Sequence, residues 1–398
     1  MSAIDTEFFI IGAGIVGLML ARELIHQGAH HVTVIEKEAS LGCHGSGRNS
    51  GVLHAGIYYP KNSLKAALCL QGNRLMQDYC RQKKLPLINS KKVVVAKEAS
   101  QHERLFQLYE RAKENGVQVD WIDEAALKKV EPYAKTNQHA LLVHDTAIVN
   151  PKRILQSLHD DLIASQRVAI LFQTRFLSFD NEKTAHTSKG KIKFKQLINA
   201  AGCYADTIAH QVGIAQAYCL IPFKGIYHQL IPEKSHMVNG NIYPVPDLEN
   251  PFLGVHFTKN SEGVVYVGPT AIPAFGRENY GILNGIDREV FKIIWHEVKL
   301  YCCNAHFRKV AHEEPKKYYP PYFYRDAKKL VRELEPTWLR PSAKVGIRPQ
   351  LIDLRSHQLV MDFMVFKERE QIHILNAVSP AFTGSMAFAK HIVEHYTN

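Results

Sequence analysis

Phe8-Phe9-Ile10-Ile11-Gly12-Ala13-Gly14-Ile15-Val16-Gly17-Leu18-Met19-Leu20-Ala21, followed by Val32-Thr33-Val34-Ile35-Glu36, is the stretch that decides the fold. Glu7 to Ile11 reads as a short apolar strand, Ile15 to Gln27 has helical periodicity, and Val32 to Glu36 is a β-branched strand. The chain thus opens with a βαβ unit. Gly12-x-Gly14-x-x-Gly17 follows the strand directly and opens the helix, and Glu36 ends the next strand about twenty residues on, which is the dinucleotide fingerprint in its proper context. Gly12 permits the tight turn, Gly14 lets backbone N–H groups approach a pyrophosphate at the helix start, and Gly17 lets helix and strand pack closely. Glu36 can accept hydrogen bonds from a ribose diol. These residues specify a dinucleotide and do not separate FAD from NAD.

The chain of 398 residues exceeds one ordinary core, and its hydrophobic fraction of 46% and charged fraction of 22% are those of a globular protein. The net charge of +11 is spread along the sequence. Its densest stretch, Lys189 to Lys195, alternates Lys with Ile192 and Phe194, as a strand with one wet face does, and this argues against nucleic acid as a partner. Seven cysteines without a C-x-x-C pair fit a reduced compartment, with Cys302 and Cys303 read as packing residues. Phe8 to Ala21 lacks a basic flank and is too short and glycine-rich for a signal or a membrane span, so the expected location is cytoplasmic.

Further along, a strand at Val93 to Ala96, a helix at Gln101 to Asn115 and a strand at Val119 to Ile122 form an excursion from the first domain. A helix at Pro151 to Ser165 and a strand at Val168 to Phe172 restore α/β character. From Tyr218 to Tyr324 the texture is strands, prolines and aromatics, with one helix near Arg288 to Tyr301, and a last helix runs to Tyr396. The fold class is α/β: a discontinuous Rossmann-type domain in segments 1-88, 146-215 and 336-398, with a smaller mixed-sheet (α+β) substrate domain in segments 89-145 and 216-335.

A second motif, Ser46-Gly47-Arg48-Asn49-Ser50-Gly51-Val52-Leu53-His54-Ala55-Gly56-Ile57-Tyr58-Tyr59, is rich in small and hydroxyl residues. It suits a chain passing along a pyrophosphate and a flat heterocycle, and on composition alone it is equally a surface loop. Together the two motifs resemble the FAD-dependent oxidoreductases of the D-amino-acid-oxidase fold group. Asn49-Ser50-Gly51-Val52-Leu53-His54-Ala55-Gly56-Ile57-Tyr58-Tyr59 with Ser63-Leu64-Lys65-Ala66 resembles the L-2-hydroxyglutarate dehydrogenase/oxidase branch. Matching segments recur at Asn199-Ala200-Ala201-Gly202, Pro222 to Tyr227, Leu253 to Thr258, Gly268 to Ala271, Gly346-Ile347-Arg348-Pro349 and Ser379-Pro380. The sequence departs from the family pattern at Arg48, Asn150 and Gly276.

The resemblance implies non-covalent FAD held by Gly12, Gly14, Gly17, Glu36, Ser46, Asn49, Ser50, Gly51, Ala201 and Gly202. It also implies a C-terminal helix whose start, Thr383-Gly384-Ser385, turns free N–H groups and a positive dipole end toward the flavin. No metal is expected. The implied reaction is oxidation of a small anionic 2-hydroxy acid, with L-2-hydroxyglutarate going to 2-oxoglutarate by hydride transfer from C2 to flavin N5. Such chemistry needs a base and cations. His256 is the favoured base and His54 the other candidate; Arg348, in a short Gly-Ile-Arg-Pro turn, is the bidentate carboxylate clamp, with Lys224 and Arg277 for a second carboxylate and Tyr58 beside them. The electron acceptor is a respiratory quinone or oxygen. Lys316-Lys317-Tyr318-Tyr319-Pro320-Pro321-Tyr322-Phe323-Tyr324 is open to three readings: peripheral contact with the inner face of a membrane, a lid, or interdomain packing. The competing functions are a D-amino-acid or glycine-type oxidase of the same fold and a non-enzymatic FAD-binding module; a plain NAD dehydrogenase leaves the second motif unexplained.

Overall fold

The N-terminal unit forms where the pattern puts it: strand Ile4–Ile11, helix Ile15–His26, strand Val32–Ile35. Gly28, with φ of +100°, ends the helix, as the Ala29 N–H reaches back to the Leu24 carbonyl. Leu18, Leu20, Ala21 and Leu24 are sealed from solvent, each large aliphatic contributing roughly 1.5–3 kcal/mol, and the helix packs against the C-terminal helix Ala381–Tyr396. The computed structural model describes residues 3–247, 253–377 and 379–397.

The chain divides into unit 1, residues 1–49, 151–222 and 348–398, and unit 2, residues 50–150 and 223–347. Among the described residues, unit 1 is built on an eight-stranded sheet. At its centre, Gly190–Asn199, Ile4–Ile11, Val32–Ile35 and Val168–Leu171 run parallel in that order. Gln371–Asn376 joins parallel to the far end of Gly190–Asn199. Within Gly190–Asn199, Ile192 and Phe194 point inward while Lys191, Lys193 and Lys195 stay wet, so that basic stretch is a half-buried strand.

Unit 2 carries a mixed sheet. Val265–Gly268, His256–Lys259 and Asn241–Pro244 are antiparallel neighbours; Asn241–Pro244 then pairs parallel with Lys92–Val95, and His139–Val143 and Val119–Asp123 follow antiparallel. Its two faces differ. Val93, Val95, Ile242, Phe257, Val265 and Val267 build an apolar core with Phe323 and Leu330. The other face is apolar at one end, where Val94, Leu141 and Val143 meet Leu105 and Leu108 of helix His102–Glu114. At its other end lie Lys92, Asn241, Tyr243, His256 and Thr258, all buried. A polar patch inside a sheet core costs stability and is the mark of a site.

Two expectations are corrected here. Residues 50–88 belong with unit 2, because strand Val52–Leu53 pairs with Ala147–Val149, which also takes Leu87–Asn89; unit 2 is thereby the larger unit. Cys302 and Cys303 end helix Val290–Cys303 and are exposed, so they are not packing residues.

Candidate active site

In unit 1, three segments meet at the start of helix Ile15–His26. A Cβ on Gly12, whose φ is +105°, would stand 2.6 Å from the Ala200 carbonyl oxygen, and one on Gly17 only 1.9 Å from the Gly12 carbonyl oxygen. Glycine at both is a steric requirement. The Ala200 N–H donates to the Ile11 carbonyl at 3.0 Å, and the Ala201 N–H to Asn199 Oδ1 at 3.2 Å, which fastens Ala201 and Gly202 against the glycine turn. Gly14, the helix N-cap, has no side chain to offer; the Ser46 hydroxyl accepts from the Ile15 N–H at 2.9 Å instead. Asn49 donates to the Ser46 carbonyl at 2.8 Å and holds that loop in shape. The Glu36 carboxylate accepts the N–H groups of Ala13 at 3.1 Å and Glu38 at 3.0 Å, which pins it beside the glycine turn with acceptor capacity left for a diol.

Ser50 and Gly51 open unit 2, where the Gly51 carbonyl accepts from the Val149 N–H at 2.8 Å. Thr383 and Gly384 lie inside the last helix, which begins at Ala381; the Gly384 N–H already donates to the Pro380 carbonyl at 2.9 Å. The helix start is therefore Ala381 to Thr383, two residues earlier than expected, because Pro380 stands as the cap.

In unit 2, the two candidate histidines converge on one ring. Tyr243 stacks on His256 with centroids 3.9 Å apart and planes 19° apart, and meets His54 edge-on at 6.3 Å. His256 is 5% exposed. Its Nδ1 lies 2.8 Å from the Gly254 carbonyl, which can only accept, so Nδ1 carries a proton and in the neutral ring the lone pair is on Nε2. That is the tautomer a general base needs. The His54 carbonyl accepts from Asn73 Nδ2 at 3.0 Å, anchoring its segment to helix Leu64–Gln82. Lys92 Nζ lies 4.7 Å from the Tyr58 ring centroid and 5.4 Å from that of Tyr243.

The other cations are placed differently. Lys224 is buried, with its ammonium donating to Asn279 Oδ1 at 3.1 Å and the Gly281 carbonyl at 2.7 Å, and burial lowers its pKa. Arg277 is 3% exposed and donates through Nε to Glu289 at 2.6 Å. Both are tied to the loop 276–289. Arg348 lies in unit 1, inside the long strand Leu339–Asp353 and not in a turn, because the Gly-Ile-Arg-Pro segment continues an extended pairing strand. Sequence reading missed Tyr243 and Lys92. Tyr243 had no motif around it; Lys92 opens an apolar Val-Val-Val run, where a lysine ordinarily reads as a solvated strand end.

The sequence pattern described as FAD dependent oxidoreductase matches residues 7–395. The chain belongs to this FAD-dependent oxidoreductase family. It is 36% identical over 410 residues to the mitochondrial L-2-hydroxyglutarate dehydrogenase of Mus musculus, covering 96% of this chain and 87% of the relative. It is 31% identical to the L-2-hydroxyglutarate dehydrogenase of Escherichia coli strain K12, covering 97% and 92%. Among solved structures it resembles the L-alpha-glycerophosphate oxidase of Mycoplasma pneumoniae with FAD bound, at TM-score 0.76 and 22% identity over 99% of this chain and 94% of that one. It also resembles the glycine oxidase of Geobacillus kaustophilus, at TM-score 0.72 and 16% identity over 98% and 94%. Those two likenesses establish the fold.

FAD is accordingly this oxidoreductase's cofactor, and its residues fit the group. The glycine turn leaves a cradle that a Cβ at Gly12 or Gly17 would fill, the Glu36 carboxylate stands at the strand end, and the Ser46 hydroxyl sits at the helix start.

Proposed function

We propose that this FAD-dependent oxidoreductase oxidises L-2-hydroxyglutarate to 2-oxoglutarate. The observation that carries the reading is the similarity to L-2-hydroxyglutarate dehydrogenases along almost the whole chain. Bound FAD supplies the two-electron acceptor for the C2–H bond. The chain's own residues take the following roles in this reading. His256 Nε2 takes the hydroxyl proton while its Nδ1–H stays on the Gly254 carbonyl, so the ring keeps its orientation through the proton transfer. Tyr243 covers one face of that ring and excludes water from it. Arg348 is the clamp for one carboxylate, a planar fork matched to two oxygens. Lys224 and Arg277 hold the loop 276–289 through the partners named above, and reach a carboxylate only by exchanging them. Gly12, Gly14, Gly17, Glu36, Ser46, Asn49, Ser50, Gly51, Ala201, Gly202, Thr383 and Gly384 are the cofactor contacts in this reading.

Anaerobic mixing of the FAD-loaded protein with L-2-hydroxyglutarate, D-2-hydroxyglutarate, glycine and D-alanine tests the assignment. The flavin band is expected to bleach with the L-hydroxy acid alone. Bleaching by glycine or D-alanine alone would move the protein to the amino-acid oxidases, and no bleaching by any would leave a non-enzymatic FAD protein.

The acceptor reading is peripheral contact with an anionic membrane, bringing quinone within reach. Its support lies mainly outside the tyrosine stretch at 316–324, although Tyr318, Tyr319 and Tyr322 there are exposed. Helix Val290–Cys303 turns Phe291, Ile294, Trp295 and Val298 to solvent at helical spacing, with Phe291 78% exposed, and Ile282 in the preceding loop is 87% exposed. Lys299 lies 4.8 Å over the Trp295 ring. Apolar anchors framed by lysines match an acidic lipid surface. No described helix is long and apolar enough to cross a membrane. The protein is expected to sediment with anionic vesicles, and the double variant Phe291→Ser, Trp295→Ser to lose roughly tenfold or more in partition. Wild-type protein left in the supernatant would refute the contact.

A further inference from the structure

Lys92 opens the strand Lys92–Val95, and the register turns its side chain inward. It pairs with Asn241, two residues from Tyr243 on the same face of the sheet, and it is 0% exposed. Among the described residues its Nζ has no hydrogen-bond partner, and neither does the buried hydroxyl of Tyr58, whose ring Lys92 overlies. Two donors without acceptors therefore stand together in a protein interior. Ring faces offset part of the cost of a buried ammonium, yet they give it no oxygen to bond. Native interiors leave such groups unsatisfied where a ligand completes them.

We propose that Lys92 and Tyr58 form the binding site for one carboxylate of the dicarboxylate substrate, the ammonium supplying the charge and the phenol a neutral donor. The inference rests on the oxidation reading above and assigns a residue of substrate specificity to it. A carboxylate fits because it brings one negative charge for one ammonium and enough lone pairs for both donors. The place fits because Tyr243, the second ring near Lys92, is the one that His256 stacks on and His54 abuts, so a carboxylate held here lies on the sheet face that carries the base. Burial lowers the Lys92 pKa to about 8, so the charge the site needs is present at neutral pH and titrates just above it.

Other ionisable groups face this spot. Helix Leu64–Gln82 contributes Lys65 and Cys69, whose thiol burial pushes up to about 12; the segment before it contributes His54 and Tyr58, the latter raised by burial; the neighbouring strands contribute Tyr243 and His256. Lys344, over the Tyr266 ring and lowered by burial to about 8, titrates in the same window and serves as the control.

Glutarate, which lacks the oxidisable hydroxyl, is the probe, titrated calorimetrically into the FAD-loaded protein. Lys92→Met is expected to raise its Kd by roughly 10- to 100-fold, the range for a charge-assisted hydrogen bond, and Tyr58→Phe by a smaller factor. Wild-type affinity should be flat with respect to Lys92 below about pH 8 and fall up to tenfold per pH unit above it, because the anion binds the protonated amine. Lys344→Met should keep that fall and Lys92→Met should lose it. Should Lys92→Met not hold FAD, the wild type decides alone. Titrated at about pH 9 in buffers of different ionisation enthalpy, it should take up close to one proton on binding, and so should Lys344→Met. A Lys92→Met Kd within about threefold of wild type, or no proton uptake, overturns the assignment. If L-2-hydroxyglutarate still bleaches the flavin in that case, only this inference falls; if glutarate binding depends on Lys92 but no hydroxy acid bleaches the flavin, only the oxidation reading falls; a protein that binds no glutarate and whose flavin no hydroxy acid bleaches overturns both.

Discussion

His256→Asn is expected to slow anaerobic flavin reduction by L-2-hydroxyglutarate by about 10²- to 10⁴-fold, the usual loss when a positioned general base is removed. Asparagine retains an N–H donor for the Gly254 carbonyl and so preserves the local bond that His256 Nδ1 makes at 2.8 Å, while removing the lone pair opposite it. FAD content should not change, since His256 is not among the cofactor contacts named above and its replacement leaves the bonds of the glycine turn, Glu36 and Ser46 as they are. Glutarate affinity should stay within about threefold, because the lost interaction belongs to the transition state and not to the bound acid. His54→Asn is the comparison: its ring touches Tyr243 only by an edge at 6.3 Å, and about tenfold or less is expected. A rate loss larger for His54→Asn than for His256→Asn would exchange the two roles, and losses below about tenfold in both would remove the base from this pair.

That His256 could be named as a candidate from the sequence and Tyr243 could not is a matter of how each is specified. The glycine turn and Glu36 belong to one βαβ unit, strand Ile4–Ile11, helix Ile15–His26 and strand Val32–Ile35, and a spacing rule captures them. His256 and His54 stood in segments with family likeness, yet nothing in the sequence said they share a ring. That depends on register: Asn241 opposite Thr258 and Ile242 opposite Phe257 bring Tyr243 beside His256. Register also decides Lys92, since a shift of one residue would send it to the opposite, apolar face with Val93 and Val95. The partners of Lys224 and Arg277 were hidden for a similar reason, as both are set by a loop conformation that no periodicity encodes. The boundary at residue 50 was missed because a two-residue strand, Val52–Leu53, has no periodicity to read.

Gly17→Ala is expected to yield a protein that holds little or no FAD and unfolds well below the wild type. The added Cβ would stand 1.9 Å from the Gly12 carbonyl oxygen and 3.1 Å from its carbon, both backbone atoms that cannot turn aside as a side-chain tip would. The helix must therefore back away from strand Ile4–Ile11. That motion opens the contact that seals Leu18 and Leu20, and it moves the Ile15 N–H off the Ser46 hydroxyl, so one substitution disturbs both the core and the cofactor cradle. Overpacking of this kind costs about 1–3 kcal/mol or more, a large share of the 5–15 kcal/mol that holds a domain folded. Saturating FAD should restore part of the melting temperature by mass action, and the fraction restored reports how far the cradle still forms. Gly28→Ala is the contrast: its Cβ would meet nothing within 4 Å, so its cost is confined to the strain of a φ of +100° and should leave FAD affinity within about threefold. If Gly17→Ala retains wild-type FAD affinity while Gly28→Ala loses it, the helix start is not where the dinucleotide is held.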